Sequence, residues 1–145
     1  MVVPGLLSAD NITGIVTWVV DGDTVHVASD GTKYKIRLYG IDAPETNQPY
    51  GKWSGKKLAS YVLNKEVTVE VVDIDRYKRH VGIIYKGDKD INLMMVNAGY
   101  AWYYAKYCKR KDICPAYLEA EETAKTARRG LWRSLPYHPE EWRKK

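Results

Sequence analysis

The chain has no phenylalanine, although its 145 residues include twelve tyrosines and five tryptophans. Every aromatic ring therefore carries a polar group, either a hydroxyl or an indole N–H. Such rings pack at half-solvated surfaces as well as in cores, and they also stack on nucleic-acid bases. Packing in the core and at its rim accounts for most of these rings, so the aromatic content alone does not indicate a binding surface.

Long apolar runs are also missing, and none approaches the roughly 18 residues that span a bilayer. The sequence thus predicts no membrane-spanning helix and no membrane partner. Residues 1–10 lack the basic segment followed by an apolar stretch that marks a secretory signal peptide. A shortened chain would look the same, so this observation does not assign a compartment.

Cysteine is scarce, and Cys108 and Cys114 are the two cysteines of the chain. Two cysteines with no histidine nearby provide too few ligands for a zinc site. They lie six positions apart, with lysines and an arginine between them. A local disulfide and a pair of free thiols are equally compatible with this spacing.

Positive charge is in excess, because 23 Lys and Arg residues against 18 Asp and Glu residues give a net charge of +5. This balance favours an anionic partner, with nucleic acid ahead of a membrane surface. The length predicts one domain over residues 1–145 with a hydrophobic core. We place that core at residues 12–132 and a polar tail at residues 133–145.

The pattern along the first half predicts three β-strands, at residues 12–20, 24–29 and 32–40. Asp30 and Gly31 form a strong hairpin signal between the last two strands. Alternation along the third strand separates an apolar face from a polar one. The apolar face contains Tyr34, Ile36 and Leu38, and the polar face contains Lys33, Lys35, Arg37 and Tyr39.

The second half predicts helices and two further strands. Helices are expected at residues 52–64, 91–99 and 115–130, and strands at residues 66–75 and 81–85 with a charged turn between them. Three strands, a helix, two strands and then helices describe an α+β domain. Five short, twisted strands favour a β-barrel over an open sheet, with about three α-helices packed against it.

Three carboxylates are expected to meet at one end of this barrel. Asp23 lies in the turn before the second strand, whereas Asp42 and Glu45 lie in the loop after the third. Since those two strands are predicted to form a hairpin, the start of one neighbours the end of the other. Converging carboxylates repel one another unless a cation joins them, and an all-oxygen set suits a hard ion such as Ca²⁺ or Mg²⁺.

Two arginines complete this group, because Arg37 lies just below the carboxylates and Arg79 comes from the charged turn. A metal, a carboxylate and two arginines match the requirements of phosphodiester hydrolysis. Arginine forks and a metal neutralise the charge that develops on the phosphate, and a carboxylate orients or deprotonates water. Each motif alone is typically a turn, a loop or a solvated arginine, and it is their joint order and spacing that favours catalysis.

Five segments in one order resemble the motifs of the staphylococcal nuclease (thermonuclease) family: VVDGDTVHV, KIRLYGIDAPET, DRYKRHVGIIY, NAGYAWYY and ARRGLW. The resemblance covers residues 15–132, which is nearly the whole chain. It implies an OB-fold barrel with helices packed against it. It also implies Ca²⁺-dependent hydrolysis of DNA and RNA, by attack of water at phosphorus, with products that carry 3′-phosphates.

The same resemblance assigns roles to individual residues. It implies metal binding by Asp23, Asp42 and the backbone carbonyl of Ala43, and catalysis by Arg37, Glu45 and Arg79. Glu45 resembles the general base, and the two arginines resemble the groups that bind the phosphate in the transition state. Tyr77 resembles a tyrosine beside the bound nucleotide, and stacking by Tyr104 and Tyr107 is a further expectation.

The chain departs from the family pattern at three places. Ala43 stands where a threonine is common, a change that a backbone carbonyl ligand tolerates. Lys78 stands where the pattern Asp-x-Tyr-Gly-Arg has glycine, and a lysine with positive φ would cost about 1 kcal/mol there. The segment between Cys108 and Cys114 replaces a simple loop.

Two alternative functions fit parts of the sequence. A catalytically silent OB-fold module that binds single-stranded nucleic acid would lack some acid or arginine positions, whereas all five of those side chains are present. A protein-interaction module would use the aromatic segment AWYYAKY and would need no metal. We expect a monomer, and the family resemblance favours a secreted or periplasmic location.

Overall fold

The computed structural model describes residues 11–133, and most of the predicted polar tail lies outside these residues. The strands are β1 (Asn11–Asp21), β2 (Thr24–Ser29), β3 (Thr32–Leu38), β4 (Ile41–Asp42), β5 (Glu66–Ile74), β6 (His80–Lys86), β7 (Lys89–Asp90) and β8 (Trp102–Tyr103). The helices are α1 (Gly51–Val62), α2 (Ile91–Asn97) and α3 (Cys114–Thr126), with 3₁₀ turns at Ala105–Tyr107 and Gly130–Arg133. The five longer strands and the three helices follow the predicted order, whereas the two-residue strands β4, β7 and β8 were not predicted.

Five of the strands form a closed barrel. β3, β2, β1, β5 and β6 are hydrogen-bonded in that order, and β3 closes the circle by pairing in parallel with β6. The closing register runs from Ile36 opposite His80 to Leu38 opposite Gly82. A closed five-stranded mixed barrel with three α-helices confirms the predicted α+β class and the OB-fold architecture.

The turn between β2 and β3 sets the register of the strands that lead to the cavity described below. Asp30 and Gly31 have φ values of 50° and 79°, and two consecutive positive values are typical of the tight type I′ hairpin turn. The hairpin pairs Thr24 with Arg37, and the amide of Leu38 donates to the carbonyl of Asp23 at 2.8 Å. The predicted hairpin therefore brings the start of β2 beside the end of β3.

The core of the barrel comes from alternate positions of β2 and from consecutive positions of β6, and α1 covers one side of it. The fully buried aliphatic side chains of the barrel include Val16, Val25, Val27, Ile36, Val69, Ile83 and Ile84. Leu58 and Val62 of α1 are also fully buried, and each contributes about 1.5–3 kcal/mol through burial. No side chain caps the N-terminus of α1, so packing rather than capping stabilises this helix. Within residues 11–133, no helix is long and apolar enough to cross a membrane.

The two cysteines are joined, which resolves the alternatives that their spacing left open. Cys108 and Cys114 form a disulfide with their Cα atoms 5.8 Å apart. The disulfide ties the segment after the first 3₁₀ turn to the start of α3. Tyr39 also holds this segment, because its hydroxyl accepts from the amides of Lys109 at 2.6 Å and Arg110 at 3.0 Å.

The predicted position of Tyr39 on the polar face is wrong, since its side chain is buried. Alternation stops applying there because β3 ends at the preceding residue. The buried amide of Asn92 in α2 donates to the carbonyls of Tyr39 and Gly82. These hydrogen bonds connect α2 to the residue after β3 and to β6, close to the end of the barrel that carries the candidate site.

Candidate active site

A cavity of about 1020 Å³ opens at the end of the barrel where β3 and β5 end and β6 begins. Its walls come from the barrel strands, the loop after β4, the turn between β5 and β6, and the first 3₁₀ turn. The predicted site residues that line it are Asp23, Arg37, Asp42, Glu45, Tyr77, Arg79, Tyr104 and Tyr107. Ala43, whose predicted contribution is a backbone carbonyl, is fully buried directly after Asp42.

The guanidinium of Arg37 lies between two buried carboxylates. Its Nη2 atom is 3.4 Å from Asp23 Oδ2 and 3.4 Å from Asp42 Oδ1. Its Nη1 atom donates to the carbonyls of Leu38 and Ile41, each at 2.9 Å. The backbone of the β3–β4 connection therefore fixes one arm of the fork, while the other arm faces the two aspartates over longer contacts.

Asp23 is held by hydrogen bonds on both of its oxygens. Oδ1 accepts from the hydroxyl of Thr24 and Oδ2 accepts from the amide of Ala43, both at 2.9 Å. Burial alone would raise the pKa of Asp23, but the charge of Arg37 and these hydrogen bonds outweigh it and hold the pKa below its ordinary value. Asp23 is therefore ionised at neutral pH, and it positions the backbone of Ala43.

Asp21 is a third aspartate of the cavity, and it was not among the predicted site residues. It accepts a hydrogen bond from the amide of Asp23 at 3.1 Å. Burial, and after it the charge of Asp23, raises the pKa of Asp21 to about 7. The signal that identifies it is strand register, because Asp21 is paired with Thr24 and Thr24 with Arg37 across the same face of the sheet.

The donor atoms at this end of the cavity suit a hard cation, although no metal position is already formed. Among residues 11–133, no three His, Cys, Asp or Glu side chains are grouped as metal ligands. Asp23 and Asp42 instead face Arg37. Three aspartates, Asp21, Asp23 and Asp42, line this end of the cavity against the one guanidinium of Arg37, and every candidate donor is an oxygen. The chemistry therefore fits Ca²⁺ or Mg²⁺, and binding would draw the aspartates towards the ion.

Glu45 lies on the exposed rim of the cavity, on a loop whose backbone is fixed. Its amide donates to the side-chain carbonyl of Gln48, and its own carbonyl accepts from the amide of Gln48, both at 2.8 Å. A Cβ atom on Gly51 would lie 1.8 Å from the carbonyl oxygen of Glu45, so the start of α1 fits this loop only with glycine. The result is a solvated carboxylate on a well-supported backbone.

Asp75 organises the turn that carries Arg79, and sequence reasoning assigned it no role. Asp75 Oδ1 accepts from the amides of Tyr77 at 2.9 Å and Arg79 at 3.0 Å, and Oδ2 accepts from Arg79 Nε at 2.8 Å. Between them, Lys78 has a φ of 63°, which is the left-handed conformation expected where the family pattern has glycine. An aspartate that bonds to the amide two residues later is a known turn signal, and this signal identifies Asp75.

The tyrosines of the cavity lie among positive charges. Tyr77 is 65% exposed, and the guanidinium carbons of Arg76 and Arg79 are 5.1 and 5.5 Å from its ring centroid. Tyr104 and Tyr107 contact each other edge to face, with centroids 4.9 Å apart. The three rings therefore give the same cavity a surface on which bases can stack.

Comparisons with known proteins point to one family. Residues 35–134 match the family described as "Staphylococcal nuclease homologue". The chain is 41% identical over 140 residues to an uncharacterized endonuclease of Escherichia coli O157:H7, with 95% of this chain and 88% of that protein covered. It is 38% identical over 139 residues to an uncharacterized endonuclease of Haemophilus influenzae, with 94% and 76% covered.

Plant relatives are longer proteins. A probable staphylococcal-like nuclease of Oryza sativa subsp. japonica is 42% identical over 113 residues, which are 77% of this chain but 29% of that protein. This chain therefore spans under a third of that plant relative.

Proposed function

Because the chain belongs to the staphylococcal nuclease family, we propose that it is a calcium-dependent endonuclease that hydrolyses phosphodiester bonds in both DNA and RNA. The nuclease class follows from the family, and calcium and the two substrates are the proposal. The observation that carries it is one cavity in which two arginines from separate segments, Arg37 and Arg79, lie among carboxylates and tyrosines.

The two arginines are proposed to bind the scissile phosphate. Guanidinium forks donate bidentately to phosphoryl oxygens, and each such donor contributes about 10²–10³-fold to the rate when aimed at developing charge. The contacts of Arg37 Nη2 with Asp23 and Asp42, at 3.4 Å, are long beside the roughly 2.7–2.9 Å of strong charge-assisted bonds. This arm of the fork can therefore donate a further hydrogen bond to a phosphate oxygen.

Glu45 is proposed as the general base. Its side chain is exposed and lines the same cavity as both arginines, so it would face a water molecule beside a phosphate bound there. A base in such a position typically contributes about 10²–10⁴-fold. Glu45 takes a proton from the water whose oxygen attacks phosphorus. The bond to the 5′ oxygen breaks and that oxygen takes up a proton from solvent, which leaves a 3′-phosphate on one product and a 5′-hydroxyl on the other. Tyr77, Tyr104 and Tyr107 contact the nucleotides.

The metal is proposed to bind to Asp23, Asp42 and the carbonyl of Ala43. Ca²⁺ held there would supply Lewis-acid charge beside the same phosphate. Asp21 adjoins Asp23, and a nearby cation favours its ionised form.

The test is an assay with plasmid DNA, single-stranded DNA and RNA, each with Ca²⁺ and with EDTA. We expect cleavage of all three with Ca²⁺, loss in EDTA, and recovery when Ca²⁺ is restored. Glu45→Gln should slow single-turnover cleavage by about 10²–10⁴-fold while strand binding stays nearly intact. The matched control is Glu122→Gln, on an exposed position of α3, which should cleave at the wild-type rate.

Each contrary outcome has a distinct meaning. Full activity in EDTA removes the metal from the mechanism. Strand binding without cleavage under every condition indicates a catalytically silent OB-fold module, and loss of both properties indicates a protein-interaction module. Equal losses of binding and rate in Glu45→Gln would assign that residue a structural role.

A further inference from the structure

The outer face of β1, β2 and β3 carries an exposed tryptophan among basic side chains. Trp18 on β1 is 60% exposed, although tryptophan is a highly buried residue type on average. It is paired with His26 on β2, and His26 is paired with Lys35 on β3. These three residues therefore form one row across the sheet.

This row lies directly beside the row that contains the candidate catalytic arginine. Arg37 and Lys35 are two positions apart on β3, as are Lys35 and Lys33, so all three side chains share one face with a spacing of about 6.7 Å. The burial pattern agrees, because Ile36, which lies between Lys35 and Arg37, is fully buried, whereas both lysines are exposed. A line of positive charge therefore leads out of the cavity along β3.

The two lysines of this line, unlike Arg37, form no ion pair with an acidic side chain in the part of the chain that the structure describes. Burial, and after it the charges of Lys33 and Lys35, lowers the pKa of His26. His26 is thus a neutral ring at pH 7, in a field set by two unpaired lysines. We call the set Trp18, His26, Lys33 and Lys35 the outer strip.

We propose that the outer strip binds the part of a single-stranded nucleic acid that extends beyond the catalytic cavity. Lys33 and Lys35 contact successive phosphates, and a base stacks on Trp18. The inference rests on the proposed function for the position of the reacting phosphate at Arg37. From there the strand follows β3, whose side-chain line begins at the same arginine.

Single-stranded rather than duplex nucleic acid fits this surface because the strip combines charge with a flat, exposed ring. Bases present their faces to a protein ring when they are unpaired and splayed out, whereas a duplex presents mainly phosphates and groove edges. Stacking is tolerant of sequence, because every base has a π-face. We therefore expect binding affinity at the outer strip to depend on the length of the strand and not on its base sequence.

The test is fluorescence anisotropy with labelled oligodeoxynucleotides in EDTA, using a short strand of about three nucleotides and a long one of about twelve, a length within the range that one OB fold contacts. Lys33→Gln/Lys35→Gln should weaken binding of the long strand by about tenfold. It should also reduce the slope of log affinity against log salt by about 1.4, which is 0.7 for each lost contact with a single strand.

Trp18→Ala should weaken binding of the long strand by about tenfold, and Trp18→Tyr should retain most of it because it keeps a stacking ring. The control is Lys86→Gln/Lys89→Gln, which removes the same charge near the β6–β7 turn. In the parallel pairing of β3 with β6, Lys33 precedes the paired residues and Lys86 follows them, so the two pairs of lysines lie towards opposite ends of the barrel. Its ratio of long-strand to short-strand affinity should match that of the wild type. Thermal unfolding of each variant checks that the fold is intact.

The proposal is overturned if the lysine variant and the control lose the same affinity, if the ratio of long-strand to short-strand affinity stays unchanged, or if the wild type does not bind the long strand. Cleavage by the wild type with Ca²⁺ is measured in parallel. If the wild type cleaves nucleic acid but the strip variants bind the long strand as well as the wild type does, the proposal about the outer strip is rejected and the proposed function stands. Strip-dependent binding without cleavage rejects the proposed function and keeps the strip as a binding surface.

Discussion

Arg37 and Arg79 line the same cavity but are positioned by different kinds of structure. Arg37 lies on a barrel strand and contacts Asp23, Asp42 and two backbone carbonyls from the β3–β4 connection. Arg79 lies on a turn, and its side chain is held by Asp75, four positions earlier. The side chains are 15% and 27% exposed. The comparison teaches that Arg37 contributes to the fold as well as to the site, whereas Arg79 depends on one local turn.

Arg37→Ala is expected to have the largest effect. It leaves Asp23 and Asp42 without the cation they share, and removing one partner of a buried pair costs about 3–5 kcal/mol. Because Arg37 is partly exposed, we expect a loss near the lower limit, about 3 kcal/mol in the free energy of unfolding. Single-turnover cleavage with Ca²⁺ should slow by about 10³-fold.

Calcium separates the two contributions of Arg37. If Ca²⁺ binds the native carboxylates as proposed, it should recover part of the lost unfolding free energy in Arg37→Ala, but it should not restore the proposed phosphate contact. Urea denaturation with and without Ca²⁺ measures this recovery. A variant as stable as the wild type would show that the Asp23–Arg37–Asp42 contacts contribute little to the fold.

Arg79→Ala is expected to affect the rate and spare the fold. Its ion pair with Asp75 is partly exposed, so the free energy of unfolding should change by less than about 1 kcal/mol. Cleavage should slow by about 10²-fold, and Arg79→Lys should be nearly as slow because a point charge does not reproduce the bidentate fork. Single-turnover kinetics and urea denaturation of both variants check the two effects.

The control for this prediction is Arg76→Ala on the same turn. Arg76 also lines the cavity and lies against Tyr77, but no salt bridge holds it among residues 11–133. Its loss should therefore cost far less than the loss of Arg79. If Arg76→Ala is the slow variant and Arg79→Ala is not, the turn delivers the other arginine to the phosphate.

The wall of the cavity built from strands was largely predictable from the sequence. Alternation put Arg37 on the polar face, and the Asp30-Gly31 signal set the hairpin that brings Asp23 to it. Both inferences succeed because register propagates along paired strands. Gly22 and Asp23 form a similar hairpin signal between β1 and β2. The register of that pair is irregular between Val19 and Asp21, however, so alternation along β1 does not identify the face on which Asp21 lies.

The wall built from turns was less predictable. The bond between Asp75 and the amide of Tyr77 follows a known local turn signal. A polar residue in a loop has many possible partners, however, so neither the two bonds from Arg79 to Asp75 nor the amide contacts of the Tyr39 hydroxyl follow from local sequence. The disulfide likewise depends on how the chain folds back to bring Cys108 and Cys114 together. The positive φ of Lys78 was predictable, but only through the resemblance to a pattern that has glycine there.

Asp75→Asn tests how far the turn depends on this one side chain. Asparagine can still accept from the backbone amides, but it loses the charge that pairs with Arg79 Nε. We expect cleavage to slow by about tenfold, less than in Arg79→Ala, because part of the support remains. Single-turnover rates of the single variants and of the double variant measure this, since a positioning residue should add little once Arg79 is gone.

The pH dependence of stability gives a second readout for Asp75. Burial alone would raise the pKa of Asp75, but its hydrogen bonds with Arg79 and Tyr77 outweigh burial and lower the pKa from 3.8. A lowered folded pKa means that the stabilisation is present above the unfolded value and is lost as pH falls through the folded one. The wild type should therefore lose this contribution below about pH 4, and Asp75→Asn should not. A variant that loses stability as steeply as the wild type would contradict the assignment.

Lys78→Gly should have the smallest effect and is the most direct test of strain in the turn. Lys78 has a φ of 63°, and its amide donates to the carbonyl of Asp75 at 3.0 Å. A left-handed conformation costs a residue with a Cβ about 1–2 kcal/mol, whereas glycine adds about 0.4–1 kcal/mol of unfolded-state entropy. These terms oppose each other, so the free energy of unfolding should rise by between 0 and about 1.6 kcal/mol.

The cleavage rate of Lys78→Gly then shows whether that strain reaches Arg79. Because Asp75 holds Arg79 through both the amide and Nε, we expect the conformation of residue 78 to be set already and the rate to stay near wild type. Arg128→Gly is the matched control, since Arg128 has a φ of 53° just beyond α3 and does not line the cavity. If both variants gain similar stability and keep their rates, the strain is local. If Lys78→Gly alone gains about tenfold or more in rate, lysine at this position restrains Arg79. The bonds from Asp75 would then not be enough to position the Arg79 guanidinium for the phosphate.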